Sequence, residues 1–145
     1  MDSLSVNVFE SLHELLSLFR QRMRESLGTV NSGLTFNEMR ILMRVGHHPG
    51  IRQKDLVEHS NTDKAQMARL LSLLQDKGWL RRTTAENDKR MRCLHLSTEG
   101  QRIFAELRDL RERVASELLH DCSPALQAQL LALLQHAKLS ARASS

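Results

Sequence analysis

The chain has 145 residues, a formal net charge of +4 and 41% hydrophobic residues, which is enough apolar material for the core of one domain. With four Phe, one Trp and no Tyr, the composition favours a helical core of Leu, Met and Val over a sheet sandwich. No apolar run approaches the roughly 20 residues that span a bilayer, and the N-terminus lacks a signal-peptide pattern, so a cytoplasmic protein without a membrane segment is expected.

Two amphipathic helices are predicted in the first third of the chain. Residues 5–27 carry a broad apolar stripe at helical spacing, and Gly28 with the polar run after it interrupts that stripe. Thr35 and Glu38 have the spacing of a capping box, in which side chains and backbone N–H groups satisfy each other. The second helix is therefore predicted from Thr35 to Val45.

The middle of the chain predicts a helix-turn-helix motif followed by a hairpin. A short helix is expected over residues 52–59, and a longer one begins at Thr62 as its N-cap and ends at Gly78. Two helices joined by a three- or four-residue turn form a helix-turn-helix. Residues 80–84 and 91–96 have strand character around a charged tip over residues 85–90. A hairpin directly after the second helix of such a motif is a wing.

Two further helices are predicted at the C-terminal end. Ser97 is the expected N-cap of a helix that runs to about His120. Ser123 and Pro124 then begin the last helix, with Ser as N-cap and Pro at the first helical position. Both helices carry long apolar stripes, as the first helix does.

Three long apolar stripes exceed what one small winged unit can cover. We therefore expect a single domain, residues 1–145, in which residues 30–97 form the winged unit and residues 1–29 and 98–145 form a helical dimerisation bundle. An intramolecular bundle is the alternative. The predicted interface residues are Phe9, Leu12, Leu16, Leu118, Leu126 and Leu130.

The excess positive charge lies in the middle of the chain. Residues 52–95 contain ten Lys or Arg and six Asp or Glu, a surplus equal to the +4 of the whole chain. Lys64, Gln66 and Arg69 occupy the polar face of the longer helix near its N-terminal end, where a recognition helix enters a major groove. This distribution indicates a protein that binds DNA.

Several short motifs extend from residue 34 to residue 100, namely Leu34-Thr35, Gln53-Lys54-Asp55-Leu56, Asp63-Lys64, Lys77-Gly78, Arg82, Asp88-Lys89-Arg90 and Leu96-Ser97-Thr98-Glu99-Gly100. In order and spacing they resemble the MarR family of winged helix-turn-helix transcriptional regulators. The resemblance implies a mainly α fold with a small β-hairpin wing. It also implies a bacterial homodimeric repressor that binds a pseudo-palindromic operator in double-stranded DNA.

The resemblance further implies that a small effector, lipophilic or aromatic, releases the DNA. Its pocket is expected between the dimerisation helices and the winged unit. The residues that we predict to line this pocket are Met39, Met43 and Phe104.

The predicted DNA contacts come from the recognition helix, the segment before it and the wing. The amide of Gln66 is suited to adenine, which it can bond in two places in the major groove. The resemblance implies that Arg90 reaches the minor groove and that Asp88 orients a basic side chain. The full predicted set is Arg52, Gln53, Thr62, Asp63, Lys64, Gln66, Arg69, Arg82, Asp88, Lys89 and Arg90.

Other functional classes find less support in the sequence. It contains no phosphate-binding loop, nucleophile motif or pair of metal ligands on one helix face, so neither an enzyme nor a cofactor is expected. His47-His48 and His120-Asp121-Cys122 do not assemble the three or four ligands of a zinc site, and no metal is predicted.

Two alternatives to a ligand-released repressor remain. One is a helical protein-interaction module without DNA binding, although such a module has no use for a basic hairpin. The other is a redox-sensing regulator that uses Cys93 or Cys122, which requires an exposed thiol with a lowered pKa. Two cysteines are too few for a disulfide framework and fit a reducing compartment.

Overall fold

The computed structural model describes residues 1–60 and 62–144, and it confirms the mainly helical fold with a small antiparallel sheet. Within these residues the chain forms six α-helices, one 3₁₀ turn and three strands. In chain order they are α1 (Leu4–Ser26), the 3₁₀ turn Leu27–Thr29, α2 (Phe36–His47), β1 (Ile51–Arg52), α3 (Gln53–Ser60), α4 (Lys64–Asp76), β2 (Leu80–Ala85), β3 (Asp88–Leu96), α5 (Thr98–Leu118) and α6 (Pro124–Ala143).

Three of the four predicted N-caps are confirmed. Thr35 and Glu38 form both hydrogen bonds of the capping box at the start of α2. The hydroxyl of Ser97 accepts the backbone N–H of Gly100 at 3.0 Å, at the start of α5. Ser123 caps α6 by accepting the N–H of Leu126, and Pro124 follows at the first position.

The prediction that Thr62 caps α4 is wrong. The N-cap is Asp63, whose Oδ1 accepts the backbone N–H of Gln66 at 2.7 Å. The hydroxyl of Thr62 instead donates to the carbonyl of Ser60 at 3.3 Å. A carboxylate at the N-cap also complements the positive end of the helix dipole, which favours Asp63 over its neighbour.

The sheet has one strand more than the predicted hairpin. The strand order is β1-β3-β2, and β1 pairs antiparallel with β3 through Ile51 opposite Leu94 and Arg52 opposite Cys93. Arg52 was predicted in the first turn of a helix, but it lies in this strand, and α3 begins one residue later at Gln53. A two-residue strand is too short for an alternating pattern to reveal it.

The hairpin tip is also shorter than predicted. Residues 85–90 were expected to form it, whereas only Glu86 and Asn87 connect the strands, and Asp88 to Arg90 belong to β3. Thr84 lies opposite Arg92 but Ala85 lies opposite Asp88, so residues 89–91 form a bulge in β3. Such a bulge bends the strand and redirects its side chains.

The core of this fold is apolar and combines residues of α2, α4, α5 and the sheet. Its members include side chains with no exposed surface at all: Leu42, Val45, Leu71, Leu74, Leu94, Ile103 and Leu107. The stripes that hydrophobic spacing predicted on these helices are therefore buried inside the subunit, where they fix the helix orientations.

The chain divides into two compact units, residues 1–114 and the residues from 115 onward. The second unit consists of the end of α5 and the whole of α6, and no described residue of α6 is buried. None of the described helices combines the length and the apolar character needed to cross a membrane.

Candidate nucleic-acid interface

Helix α4 presents a polar face to solvent because its apolar face is anchored in the core. Met67, Leu71 and Leu74 are buried with at most 1% of their surface exposed. Lys64, Gln66 and Arg69 are exposed. As predicted, the side chains that can reach phosphates and base edges lie together near the N-terminal end of the helix.

The C-terminal end of α4 is fixed by a buried ion pair that was not predicted as part of the site. The ammonium group of Lys77 lies 2.6 Å from Oε2 of Glu38, a carboxylate with 0% exposure at the start of α2. The same ammonium donates to the carbonyl of Gly33 at 3.0 Å and lies 4.9 Å from the centre of the Trp79 ring. These contacts set the end of the recognition helix relative to α2.

The turn after α4 joins the recognition helix to the wing. Gly78 has a φ of +81°, a conformation that favours glycine after a helix, as the sequence predicted. The hydroxyl of Ser97 donates to the carbonyl of Gly78 at 2.6 Å, and the N–H of Ser97 donates to the carbonyl of Trp79 at 3.0 Å. The turn is thus fixed to the residue that caps α5.

At the tip of the wing, Asp88 shapes the backbone of the hairpin. Its Oδ1 accepts the backbone N–H of Arg90 at 2.9 Å. Asp88, Lys89 and Arg90 are all exposed, and Lys89 and Arg90 lie in the bulge of β3. The carboxylate therefore supports the bulge that carries the two cations.

Arg82 lies on the inward face of the hairpin. It is opposite Leu94, which is fully buried, and the Nε and Nη2 atoms of Arg82 are buried without a hydrogen-bond partner among the described residues. Burial lowers the pKa of Arg82, and the charge of Arg92 lowers it further. Arg82 is thus less available to a phosphate than Lys89 and Arg90, which are exposed.

The remaining predicted contacts lie between β1 and α4. Arg52 is exposed, and Gln53 and Thr62 are half-buried. The amide oxygen of Gln53 is buried and has no hydrogen-bond partner among the residues described. In all, the exposed members of the predicted set are Arg52, Asp63, Lys64, Gln66, Arg69, Asp88, Lys89 and Arg90.

A pocket of about 440 Å³ lies within the first unit, between α1, α2, α3, α4 and α5. Two of the three predicted lining residues, Met39 and Met43, contribute to its wall, together with Met23 and Met67. Its lining by basic side chains was not predicted, because the residues come from distant parts of the sequence and each resembles a solvated surface residue. These basic residues are Arg20, Arg40, Arg44, His47, His59 and Arg111.

Phe104 is not part of the described lining of this pocket. Its ring packs edge-on against His47, with ring centres 5.2 Å apart and planes at 82°. A Cβ atom at Gly46 would overlap the Phe104 ring, so glycine at that position allows the ring to approach α2. Burial lowers the pKa of His47, and the charges of Arg111 and Arg108 lower it further, as do His48 and Arg44.

The predicted interface residues lie on helices with extensive exposed apolar surface. On α1, Phe9 is 70% exposed, Leu16 is also exposed, and Leu12 is half-buried. In the second unit, Leu126 and Leu130 are exposed and Leu118 is half-buried. Isolated apolar residues on a surface are ordinary, whereas repeated exposure along a helix is typical of interaction surfaces.

The cysteines and histidines form no metal cluster within the part of the chain that the structure describes. Cys93 and Cys122 are free thiols and both are half-buried. His120 lies 3.3 Å from the carboxylate of Asp121, and both side chains are largely exposed.

Comparison with known proteins finds relatives among transcriptional regulators. The MarR family model matches residues 32–91. The chain is 30% identical over 113 residues to the transcriptional regulator HosA of Escherichia coli O157:H7, covering 76% of this chain and 81% of that protein.

Two solved structures have a similar fold. A MarR transcriptional regulator from Methanosarcina mazei Go1 superimposes with a TM-score of 0.80 at 17% identity, over 95% of this chain and 98% of the other. A MarR variant from Escherichia coli, solved in complex with operator DNA, superimposes with a TM-score of 0.75 at 22% identity, over 94% and 99% of the two chains.

Proposed function

The chain belongs to the MarR family of transcriptional regulators, and from this premise we propose that it is a homodimeric repressor that a small effector releases from DNA. Its operator is a pseudo-palindromic duplex, and its place of action is the bacterial cytoplasm. The relatives it resembles are regulators of transcription, and accordingly we assign it no catalytic role.

The DNA contacts follow from the two exposed polar surfaces of the winged unit. Lys64, Gln66 and Arg69 on α4 enter a major groove, with Gln66 reading a base edge and the two cations contacting phosphates. Lys89 and Arg90 at the wing tip contact the adjacent minor groove, whose negative potential attracts arginine. The fold neighbour solved with operator DNA supports this assignment for the family.

The dimer follows from the exposed apolar residues of α1 and α6. Leucines such as Leu133, which is 68% exposed, are costly to leave in water along a whole helix. A second copy of the chain covers them and places two recognition helices about one duplex turn apart, as a two-fold operator requires.

The effector occupies the pocket between α1, α2, α3, α4 and α5. Its volume of about 440 Å³ lies within the range of small-molecule sites. Thr62 and Gln66 belong to its lining, so the pocket reaches the start of the recognition helix. A ligand there changes the position of that helix and lowers the affinity for the operator.

The observation that carries this proposal is the exposed polar face of α4 beside a hairpin with Lys89 and Arg90 at its tip. Selection from a random duplex library with the full-length protein tests it. A repressor of this kind should enrich an inverted repeat whose half-sites are centred about 10 base pairs apart. Enrichment of no common sequence would contradict sequence-specific binding.

A further inference from the structure

The three-stranded sheet has two faces of opposite character. Successive side chains of a strand point to opposite faces, and on one face Leu80 and Leu94 are buried in the core. On the other face Arg81 and Thr83 are exposed. We call this second face the outer face, and it is open to solvent where the inner face contributes to the core.

Strand register brings basic side chains together on the outer face. Directly opposite residues of antiparallel strands share a face, with Cβ atoms about 4.5–5.5 Å apart. Arg81 on β2 lies opposite His95 on β3. In the next row, Cys93 on β3 lies between Arg52 on β1 and Thr83 on β2. These five residues form the outer face, and none of them is acidic.

The two arginines of the outer face have no partner within the described part of the chain. Arg52 and Arg81 are exposed, and neither guanidinium group forms a hydrogen bond or an ion pair to another described residue. The acid that the register places further along the hairpin is Asp88, opposite Ala85, and its Oδ1 accepts the backbone N–H of Arg90. The positive charge of the outer face is therefore available to an external anion.

The outer face continues from the surface that we assign to DNA. The strands that carry Arg81 and His95 also lead to the wing tip with Lys89 and Arg90. The outer face is turned away from the core that anchors α4, so DNA in contact with α4 and the wing tip reaches it only by continuing past the wing. Charges spread across three strands suit an extended polyanion.

We propose, on the premise that the protein binds an operator, that the outer face binds the phosphate backbone of the duplex that flanks this operator. Arg52 and Arg81 each contact a phosphate. The Thr83 hydroxyl and the N–H that an imidazole keeps even when neutral, here that of His95, are further donors. Contacts to the backbone add affinity and fix the path of the DNA without reading its sequence.

The test compares three duplexes in titrations of the full-length protein. They are the selected operator alone, the operator with about one turn, or ten base pairs, of flank on each side, and the same long duplex with methylphosphonates in the flanks. The last duplex has the same length and sequence, but its flanks carry no charge. At about 50 mM salt the wild type should bind the native flanks about tenfold or more tightly than the neutral flanks.

The salt dependence gives the number of flank contacts. If Arg52 and Arg81 of both subunits each neutralise one phosphate, the slope of log affinity against log salt should be steeper by about 3.6 with native flanks than with neutral ones. Arg81→Gln and Arg52→Gln should each lower this difference by about 1.8 in a dimer. Both variants should bind the operator alone as the wild type does.

Arg92→Gln is the matched control, because it removes the same charge from the same hairpin. Arg92 is exposed and lies opposite Thr84, on the same face as Leu94 rather than on the outer face. Its ratio of affinities for native and neutral flanks should stay within about twofold of the wild-type ratio. Circular dichroism checks that each variant is folded, and Arg52→Gln and Arg81→Gln test the outer face independently.

Equal affinity of the wild type for native and neutral flanks would overturn the inference in favour of another polyanion, such as an acidic protein surface. An equal loss of the flank effect in Arg92→Gln and Arg81→Gln would overturn it as well. Operator binding without a flank effect contradicts this inference alone, whereas no binding to any selected operator contradicts the proposed function itself.

Discussion

Gln66 and Arg90 are expected to contribute to DNA binding in different ways, because they face different grooves. Gln66→Ala should remove about 1–3 kcal/mol of discrimination at one position in each half-site and leave binding to unrelated DNA nearly unchanged. Arg90→Ala should weaken binding to the operator and to unrelated DNA alike, since the minor groove carries little sequence information. Anisotropy titrations with the selected operator and a scrambled duplex measure both effects.

Asp88→Ala provides the control for the wing. Simple electrostatics predicts tighter binding when a carboxylate near DNA is removed. Oδ1 of Asp88 instead accepts a hydrogen bond from the backbone N–H of Arg90 at 2.9 Å. Removing this carboxylate should therefore loosen the hairpin and weaken DNA binding, as Arg90→Ala does. Tighter binding of this variant to both duplexes would contradict the proposal that Asp88 supports the wing for DNA binding.

His47 should make stability depend on pH in a defined direction. Burial and the neighbouring cations lower its pKa in the folded chain, so the unfolded chain takes up a proton at higher pH than the folded one. The free energy of unfolding should therefore fall as the pH drops below the ordinary histidine value of about 6.5. Above that value both states are neutral at His47 and its contribution is constant.

Urea unfolding of the wild type and His47→Asn at about pH 5 and about pH 7.5 isolates this contribution, because every other group is common to both proteins. The wild type should lose more stability than the variant at the lower pH. An identical pH dependence of the two proteins would contradict the role assigned to His47.

At the residue scale, the sequence pattern predicted which types of residue the site contains better than it predicted the contacts and orientation of each residue. Thr62 and Asp63 can both cap a helix, and only the starting point of α4 decides that Asp63 does so. The pairing of Glu38 with Lys77 joins residues 39 positions apart, so local spacing gave no signal for it. The orientation of Arg82 also depends on strand register, which the sequence pattern left open.

At the scale of elements, the buried pair between α2 and α4 should be asymmetric in its effect on stability. Lys77→Met leaves the fully buried carboxylate of Glu38 without its cation and should cost about 3 kcal/mol of unfolding free energy. Glu38→Gln keeps the capping box and leaves Lys77, which is 27% exposed, able to reach water. It should therefore cost clearly less than Lys77→Met in urea unfolding.

Arg102→Met is the matched control for the loss of a cation. Arg102 pairs with Glu99 and Glu106 on the solvent-exposed face of α5, where water replaces the lost contacts. Its substitution should change the free energy of unfolding far less than Lys77→Met does. Equal costs for the two substitutions would contradict the view that the α2–α4 pair is special because it is buried.

Helices and caps were more predictable than strands and cavities. Hydrophobic spacing and caps gave all six helices to within a few residues, because these signals are local. The two-residue strand β1 exists only through its pairing with β3, and the pocket exists only where several helices meet. Neither feature has a signature within a single stretch of sequence.

For the whole molecule, the proposed dimer predicts a change of assembly without loss of the subunit fold. Leu130 and Leu73 are both exposed on helices of the single chain. Leu130→Glu should shift the protein toward monomer, since it places an unpaired charge in the α6 interface at a cost of several kcal/mol. Leu73→Glu alters α4 outside the expected interface and should remain dimeric.

Light scattering coupled to size exclusion measures both variants, with circular dichroism as the test that each subunit is folded. A wild type that stays monomeric at micromolar concentrations would refute the proposed dimer. Equal behaviour of Leu130→Glu and Leu73→Glu would place the interface away from α6.

The salt dependence of operator binding tests the central claim most directly. If α4 and the wing of both subunits neutralise about 6–10 phosphates, log affinity should fall by about 0.9 units per contact for each tenfold increase in salt concentration. Arg90→Ala removes one such cation from each subunit, so it should reduce the slope by about 1.8 for a dimer. A nearly flat salt dependence, or an unchanged slope for Arg90→Ala, would contradict DNA binding through this surface.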